Sequence, residues 1–423
     1  MIGFSNLDSL ISLCGARNRF GALAFAGDDG GRATYTAGDL AKAVGAVKIT
    51  GDKNAEIRSL IADSRRVAPS SAFFAVGGFT TDGNIFVDEA AHRGAVAVVS
   101  ENPCPKGFGA TWIQVADIRD ALPAAAKSFY ANPDETLKTF GITGTNGKTS
   151  VSWMLQTILN ALGEKCGVIG TIHYDLGGRC LPASRTTPDA LELHAMLNQM
   201  RNASCRAAAM EISSHSIAQK RVKGVHLDCA CFLNLTQDHM DYHKTMESYF
   251  ETKASMFTGA LGALPKNAVL NFDDPHGREI AKRLDPSVKA VGFGIESPDA
   301  QIRAENLELL PDGSKFKLVW PEGEMQTSIK MTGHYNVSNA LAALACIYAA
   351  GFDIKKAAEI LANFGGVPGR MQKVSGNADF DIFVDYAHTD DALKNGLSML
   401  RKVVKNRLLV VFGCGGKRDR TKR

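Results

Sequence analysis

Several protein classes are excluded by what this sequence lacks. Its nine cysteines stand singly, and the closest pair, Cys229 and Cys231, flanks one residue. Without a C-x-x-C spacing or a paired secreted framework, they read as reduced, mostly buried thiols of a cytoplasmic protein. Charge of one sign is lacking too: 48 Lys and Arg stand against 44 Asp and Glu, a formal charge of +4. With no long basic run before the last few positions, no nucleic-acid partner is expected. The longest apolar stretch, Asn339 to Phe352, is too short to span a bilayer and reads as a buried helix, so no membrane insertion is expected. The N-terminus lacks an apolar core with a cleavage site. Residues 1–34 read as an N-terminal extension, with an organellar leader as the alternative because of Arg17, Arg19 and several serines. There are no internal repeats and no low-complexity tracts.

What is present is an ordinary globular composition, 45% hydrophobic and 22% charged, in 423 residues. That length exceeds one core and implies about two to four domains. Short β-rich runs at Ser71–Val76 and Ala95–Ser100, with a helical segment near Ile85–Arg93, suggest a small α/β domain over 35–135. From Leu137 the rhythm becomes strand, helix, strand. Buried runs at Thr139–Thr143, Ala207–Ile212, Cys229–Leu235 and Ala268–Phe272 predict a doubly wound, mostly parallel sheet over 136–368. Between them Thr187 is placed to cap a helix carrying Ala190, Leu193, Leu197 and Met200 on one face. "GGVPGR", residues 365–370, reads as a hinge. Beyond it, "DIFVDYAH" and "RLLVVFGCGG" read as two strands around a helix at Asp391–Val404, the incomplete start of a third domain over 369–423.

The stretch "TGTNGKTS", residues 143–150, resembles a phosphate-binding loop whose first glycine is displaced: Ile142 stands where G-x-x-x-x-G-K-[ST] requires glycine. Its context is nonetheless correct, a β-rich run before it and a helix with Met154, Ile158 and Leu162 on one face after it. Backbone N–H groups converging at a helix N-terminus suit triphosphate oxygens. Lys148 can reach the β- and γ-phosphates and Thr149 can ligate Mg2+. The shortened loop argues against a standard motor ATPase or GTPase.

Two further strand ends carry chemistry. Glu211 closes a buried apolar run, where an ionised carboxylate is costly unless paired or bound to metal. "NLTQDHMDYH" crowds Asp238, His239, Asp241 and His243, with His239 and His243 at a helical i, i+4 spacing that zinc would use. The glutamate a zinc protease needs after the first histidine is missing, and an ATP site favours Mg2+ with oxygen ligands. Lys253 then stands among Ala254, Met256 and Phe257, where an ammonium is expensive to bury.

The segments "GTNGKTS", "RTTPD", "MEISSHSIAQKRV", "FLNLTQDHMDYHKTMESYFETKASMF", "GHYNVSNALAALA", "PGRMQKV" and "VDYAHTDDAL" together resemble the Mur ligases, nearest the tripeptide-forming branch. "DSRRVAPSSAFFAV" and "TTDG" extend the resemblance into the first domain. It implies a three-domain architecture with a Rossmann-like C-terminal domain. It also implies ATP-dependent addition of a diamino acid, meso-diaminopimelate before L-lysine, to UDP-N-acetylmuramoyl-L-alanyl-D-glutamate through an acyl phosphate, by a cytoplasmic and monomeric enzyme. Gly144, Thr145, Asn146, Gly147, Lys148, Thr149 and Ser150 would then hold ATP phosphates. Asn336 and Asn339 would meet adenine, and Arg370 and Asp385 would meet phosphate and ribose. Two Mg2+ sites would use Thr149 and Glu211, then His239, with Lys253 carrying a CO2-derived carbamate. The catalytic set is Lys148, Glu211, His239 and Lys253. Ser64, Thr80, Thr81, Thr186, Thr187, Ser213, Gln219 and Arg221 would contact the UDP-muramoyl dipeptide, and Arg418 the incoming amino acid. The chain departs from the family in "GGKRDRTKR", with Lys417 and Thr421 in place of an acid and a glycine, and in Asp390 in place of proline. The family's amino-acid-reading motif is expected beyond Arg423. The alternatives are another Mur or folylpolyglutamate-type ligase, and a nucleotide-binding protein without ligase activity.

Overall fold

The computed structural model describes residues 34–413 except 79–80, 311, 375–379, 388–389 and 405. The first 33 residues, Thr80, Arg418 and the "GGKRDRTKR" segment therefore lie outside the described residues.

Residues 36–135 build a five-stranded sheet. Lys48–Thr50 pairs antiparallel with Thr111–Gln114, and Ala95–Ser100, Ser71–Phe74 and Ser59–Ile61 follow in parallel. A parallel sheet is covered on both faces, so its strands read as continuous apolar runs. Successive side chains separate the two cores: Phe74 and Val99 pack toward the helices Ala37–Ala43 and Ile118–Phe129, while Phe73 and Val98 pack toward Val87–His92.

The second sheet has eleven strands. Its parallel centre runs Ile302–Leu310, Lys289–Gly294, Asn267–Asn271, Cys229–Phe232, Lys138–Thr143, Ala207–Glu211, Cys166–Ile169. Antiparallel strands extend both edges, Gly313–Trp320 and Gly323–Ile329 on one side, His173–Asp175 and Cys180–Pro182 on the other. Helices Lys148–Ala161 and His334–Ala349 bury one face, and Ala190–Asn202 and Met246–Ala254 the other. His334–Ala349 is the buried helix expected from its composition: Ala340 to Ile347 are all at most 1% exposed. Lys138–Thr143 lies between Ala207–Glu211 and Cys229–Phe232, so the chain reverses its winding direction at this strand. A crevice opens at the carboxyl ends of strands where the order reverses.

Three expectations need correction. The helix Ala190–Asn202 is capped by Asp189, whose carboxylate accepts from Glu192 N. Thr187 is instead drawn to the neighbouring strand end, where its hydroxyl donates to the Glu211 carbonyl at 2.7 Å. His239 and His243 do not share a helical face, because His239 takes a left-handed conformation (φ 57°) ahead of the short helix Met240–His243. Finally, 407–413 forms no strand. Phe383–Val384 pairs with Gln372–Lys373, and a strand needs a neighbouring backbone to hydrogen-bond. The helix between them, Asp390–Val403, does form. Among the described residues no helix is long and apolar enough to cross a membrane, and the described cysteines are free thiols.

Candidate active site

The loop 144–147 joins the strand Lys138–Thr143 to the helix Lys148–Ala161. Ile142 is fully buried in that strand. The position that a longer loop gives to glycine is here part of the sheet, and the turn begins two residues later. Gly147 caps the helix at φ 91°, a conformation side chains rarely adopt, and a Cβ there would collide with Asn339 Oδ1. The loop is held from the adjacent strand end. Asn234 accepts from Asn146 N at 2.9 Å and donates to Asn146 O at 3.2 Å. Thr145 accepts from Thr236 N at 3.1 Å and donates to Thr236 O at 3.2 Å. Sequence reasoning missed Asn234, because its role depends on a strand some ninety residues away.

Beneath the loop two lysines meet. Lys148 Nζ donates to Gly144 O at 2.7 Å and Thr145 O at 3.0 Å, and Lys253 Nζ donates to Gly144 O at 3.0 Å. Lys253 is 1% exposed, with its Nζ 4.7 Å from the Tyr249 ring centroid. Burial, and then the Lys148 charge, hold its amine well below the usual lysine range. Tyr249, which sequence reasoning also missed, connects this amine to the loop through a 3.2 Å hydroxyl contact with Thr145.

Glu211 ends the strand on the other side and is 1% exposed. Oε2 accepts from Thr149 and Thr171 hydroxyls, both at 3.0 Å, and Oε1 accepts from Thr171 N at 2.8 Å. Gly170 makes room for it, since a Cβ there would collide with Oε1. Thr171 and Gly170 follow the buried run Cys166–Ile169. Their position at a strand tip was the available signal. Thr171 Oγ1 also lies 3.2 Å from Thr186 Oγ1.

His239 faces the same crevice. Its ring is 6.1 Å from Tyr249, 4.8 Å from His215, and its Nε2 is 3.5 Å from Asp238 Oδ2. Burial pushes it down to about 4, with the nearby charges of Lys148 and Lys253 acting the same way. The imidazole is thus neutral at neutral pH, the form in which histidine binds metal. His243 turns away to Ser214 Oγ at 2.9 Å.

On the flank of Glu211, Ser213 N donates to Thr187 Oγ1 at 3.1 Å, and Arg221 donates to Thr187 O at 2.9 Å and to Gln219. Ser64 and Thr81 belong to the first sheet's unit and make no hydrogen bond to this group among the described residues.

Above the loop a cleft is lined by Asn146, Gly147, Thr149 and Ser150 on one wall, Asn336 and Asn339 on a second, and Arg370 and Asp385 on a third. Arg370 Nη2 donates to Thr149 Oγ1 at 3.0 Å, and its guanidinium lies 4.9 Å from the Tyr386 ring centroid. Asp385 accepts from Met371 N at 2.7 Å and Ala387 N at 2.8 Å, fixing the segment after the hinge. Gly144, Thr145 and Lys148 are not among the residues that line this cleft. Among the described residues no three His, Cys, Asp or Glu side chains converge to hold a metal. The adjacent hydroxyl and carboxylate oxygens of Thr149 and Glu211 fit Mg2+, which takes one or two protein oxygens and completes its shell with phosphate and water.

A short glycine-containing loop before a helix N-terminus at the reversal point of a doubly wound sheet, with a cleft beside it and a third segment leaning onto it, is the arrangement of a nucleotide-dependent enzyme. More narrowly, the chain belongs to the Mur ligase family, and it is an ATP-dependent ligase. Residues 56–130 match the Mur ligase family catalytic domain, 142–347 the Mur ligase middle domain, and 369–423 the Mur ligase glutamate ligase domain. A UDP-N-acetylmuramoyl-L-alanyl-D-glutamate–2,6-diaminopimelate ligase of Geobacillus thermodenitrificans is 42% identical over 375 residues, 88% of this chain and 76% of that protein. The ligase of that name from Geobacter metallireducens is 39% identical over 389 residues, 91% of this chain and 76% of that one. A solved structure of an enzyme of the same name superposes with a TM-score of 0.75 at 30% identity, covering 92% of this chain and 79% of that one. MurF from Thermotoga maritima, solved with ADP, shares the fold at a TM-score of 0.60 and 21% identity, covering 81% of this chain and 74% of its own.

Proposed function

We propose that this ligase joins meso-diaminopimelate to the D-glutamyl γ-carboxylate of UDP-N-acetylmuramoyl-L-alanyl-D-glutamate. ATP first activates that carboxylate as an acyl phosphate, and the amine then displaces phosphate. The observation that carries this reading is the meeting of Lys148, Lys253, Thr149 and Glu211 around one loop, with Thr149 also lining the adjacent cleft, in a chain whose relatives bear that name.

The residues divide the work by position. The loop N–H groups and Lys148 take the β- and γ-phosphates, and Asn336 and Asn339 take the base. Arg370 already touches Thr149, so a small shift at the hinge brings its guanidinium onto phosphate. Gly366 (φ 92°) and Gly369 (φ 67°) give that hinge its freedom. Thr186, Thr187, Ser213, Gln219 and Arg221 lie beside Glu211 and would hold the peptide end of the acceptor. Ser64 and Thr81, with Thr80, would hold its nucleotide end. Mg2+ held by Thr149 and Glu211, and a second by His239, would neutralise charge as the carboxylate approaches phosphate. Burial lowers the Lys253 amine pKa and so favours the unprotonated form, the one that adds CO2, and the resulting carbamate would serve the second ion as an oxygen donor. Closure over the cleft excludes water from the acyl phosphate.

The test is phosphate release from ATP with UDP-muramoyl dipeptide, alone and with meso-diaminopimelate or L-lysine, plus hydroxylamine trapping of the acyl phosphate. Release that requires the dipeptide and rises with meso-diaminopimelate supports the reading. ATP binding with neither release nor trapping under any condition rejects it.

A further inference from the structure

The turn 219–224, between Gln219 and Gly224, carries two of the side chains assigned above to the acceptor, and its centre is strained. Lys220 sits at φ 57°, in the left-handed region that glycine or asparagine occupies at lower cost. Backbone preference does not account for a lysine there, so the side chain is what the position uses. Its ammonium bridges Asp117 Oδ2 at 2.8 Å and Asp120 Oδ1 at 2.7 Å, and Lys223 joins Asp120 at 2.9 Å. Both acids stand at the start of the first unit's helix Ile118–Phe129. At the far end of the same helix, about 10 Å along its axis, Lys127 Nζ donates to Gly224 O at 2.9 Å. One helix of the nucleotide-sugar unit thus grips the turn at both ends. The two carboxylates also raise the Lys220 ammonium above its ordinary range.

We propose that Lys220 is a positioning residue: anchored to Asp117 and Asp120, it presets Gln219 and Arg221 for the anionic peptide end of the UDP-sugar substrate. It thereby couples the unit that binds the nucleotide end to the turn that reads the other end. This rests on the acceptor assignment in the proposed function. Arg221 is fixed from its other side by Thr187 O at 2.9 Å, so the turn has two anchors, and Lys220 supplies the one outside the central sheet. The Lys220 side chain is 34% exposed, and ion pairs this accessible add little to stability. Their effect should therefore appear in substrate affinity rather than in melting temperature.

The experiment is calorimetric titration of the chain with UDP-N-acetylmuramoyl-L-alanyl-D-glutamate and, separately, with ADP. Lys220→Met should raise the Kd for the UDP-sugar about five- to tenfold while leaving the ADP Kd within about twofold. Lys220→Arg should restore binding. The double variant Asp117→Asn/Asp120→Asn should reproduce the loss, and adding Lys220→Met to it should cost nothing further. An unchanged UDP-sugar Kd in Lys220→Met overturns the proposal, as does additivity of the lysine and aspartate changes, which would make Lys220 a direct contact. Wild type that binds no UDP-sugar removes the acceptor assignment and this inference with it. Wild type that binds as tightly as Lys220→Met removes only the inference.

Discussion

Lys148 and Lys253 donate to the same carbonyl oxygen, that of Gly144, at 2.7 and 3.0 Å. Burial, and then the Lys148 charge, hold the Lys253 amine well below the usual lysine range. The shared carbonyl therefore connects the phosphate loop directly to the chemistry proposed for Lys253. Lys253→Ala should abolish dipeptide-dependent phosphate release, and bicarbonate or a short carboxylic acid should restore part of it. Wild-type activity should fall in CO2-depleted buffer and return with bicarbonate. Full activity of Lys253→Ala in depleted buffer would remove the lysine from the site.

Thr171 makes two of the three hydrogen bonds that hold the Glu211 carboxylate. Thr171→Val removes the hydroxyl and keeps the shape. Hydrogen bonds to a charged group are worth roughly 1.5–3 kcal/mol, so the Mg2+ concentration for half-maximal activity should rise about tenfold or more. A magnesium titration reads this directly, and an unshifted midpoint would separate Glu211 from the metal.

Gly147 offers a cleaner test of the loop than its lysine. A Cβ at φ 91° collides with Asn339 Oδ1, so Gly147→Ala must displace either the loop or Asn339. ADP affinity should drop at least about tenfold, with a penalty of about 1 kcal/mol or more in folding stability. Equal ADP binding in calorimetry would contradict the loop geometry.

Arg370, the last residue of the stretch 365–370, reaches the loop and lies near Tyr386. Arg370→Lys keeps the charge but loses the planar fork and the stacking. It should raise the KM for ATP by about tenfold. If closure carries the rate, kcat falls as well, whereas an unaffected KM and kcat would leave Arg370 outside the reaction.

His194 is fully buried between the helix Ala190–Asn202 and the first unit, and neither ring nitrogen has a hydrogen-bond partner. Burial lowers it from 6.5 to about 4. The folded value lies below the unfolded one, so between these limits the unfolded chain binds a proton that the folded chain refuses. Stability is complete above pH 6.5 and declines as pH falls toward 4, by roughly 3 kcal/mol from this group. His194→Leu should flatten the acid limb of a plot of Tm against pH between 7 and 5. Parallel limbs for the two proteins would count against it.

The parts of the site legible in the sequence are those contiguous along it. The loop from Gly144 to Ser150, Glu211 at the end of an apolar run, and Asn336 with Asn339 on one helix announce themselves through local pattern. Asn234 and Tyr249 gave no such signal, and Thr171 gave only its place at a strand tip, because each acts on a residue far away in sequence. Thr187 misled for the same reason. Locally it resembles a cap, but a 2.7 Å bond to the Glu211 carbonyl takes its hydroxyl, and Asp189 takes over the cap. The spacing of His239 and His243 suggested a helix face that one left-handed residue removes.

The sequence by itself determined the fold class, the strand–loop–helix around residues 144–147 and the family, since periodicity, turn residues and contiguous motifs are local properties. Only the tertiary structure decided that Lys148 and Lys253 meet at Gly144, that Thr171 fixes Glu211, and that Lys220 ties the turn 219–224 to the first unit. Those contacts arise where strand tips converge at the reversal of a sheet. Hydrogen bonding and desolvation act through space, and no spacing along the chain encodes which distant groups they will join.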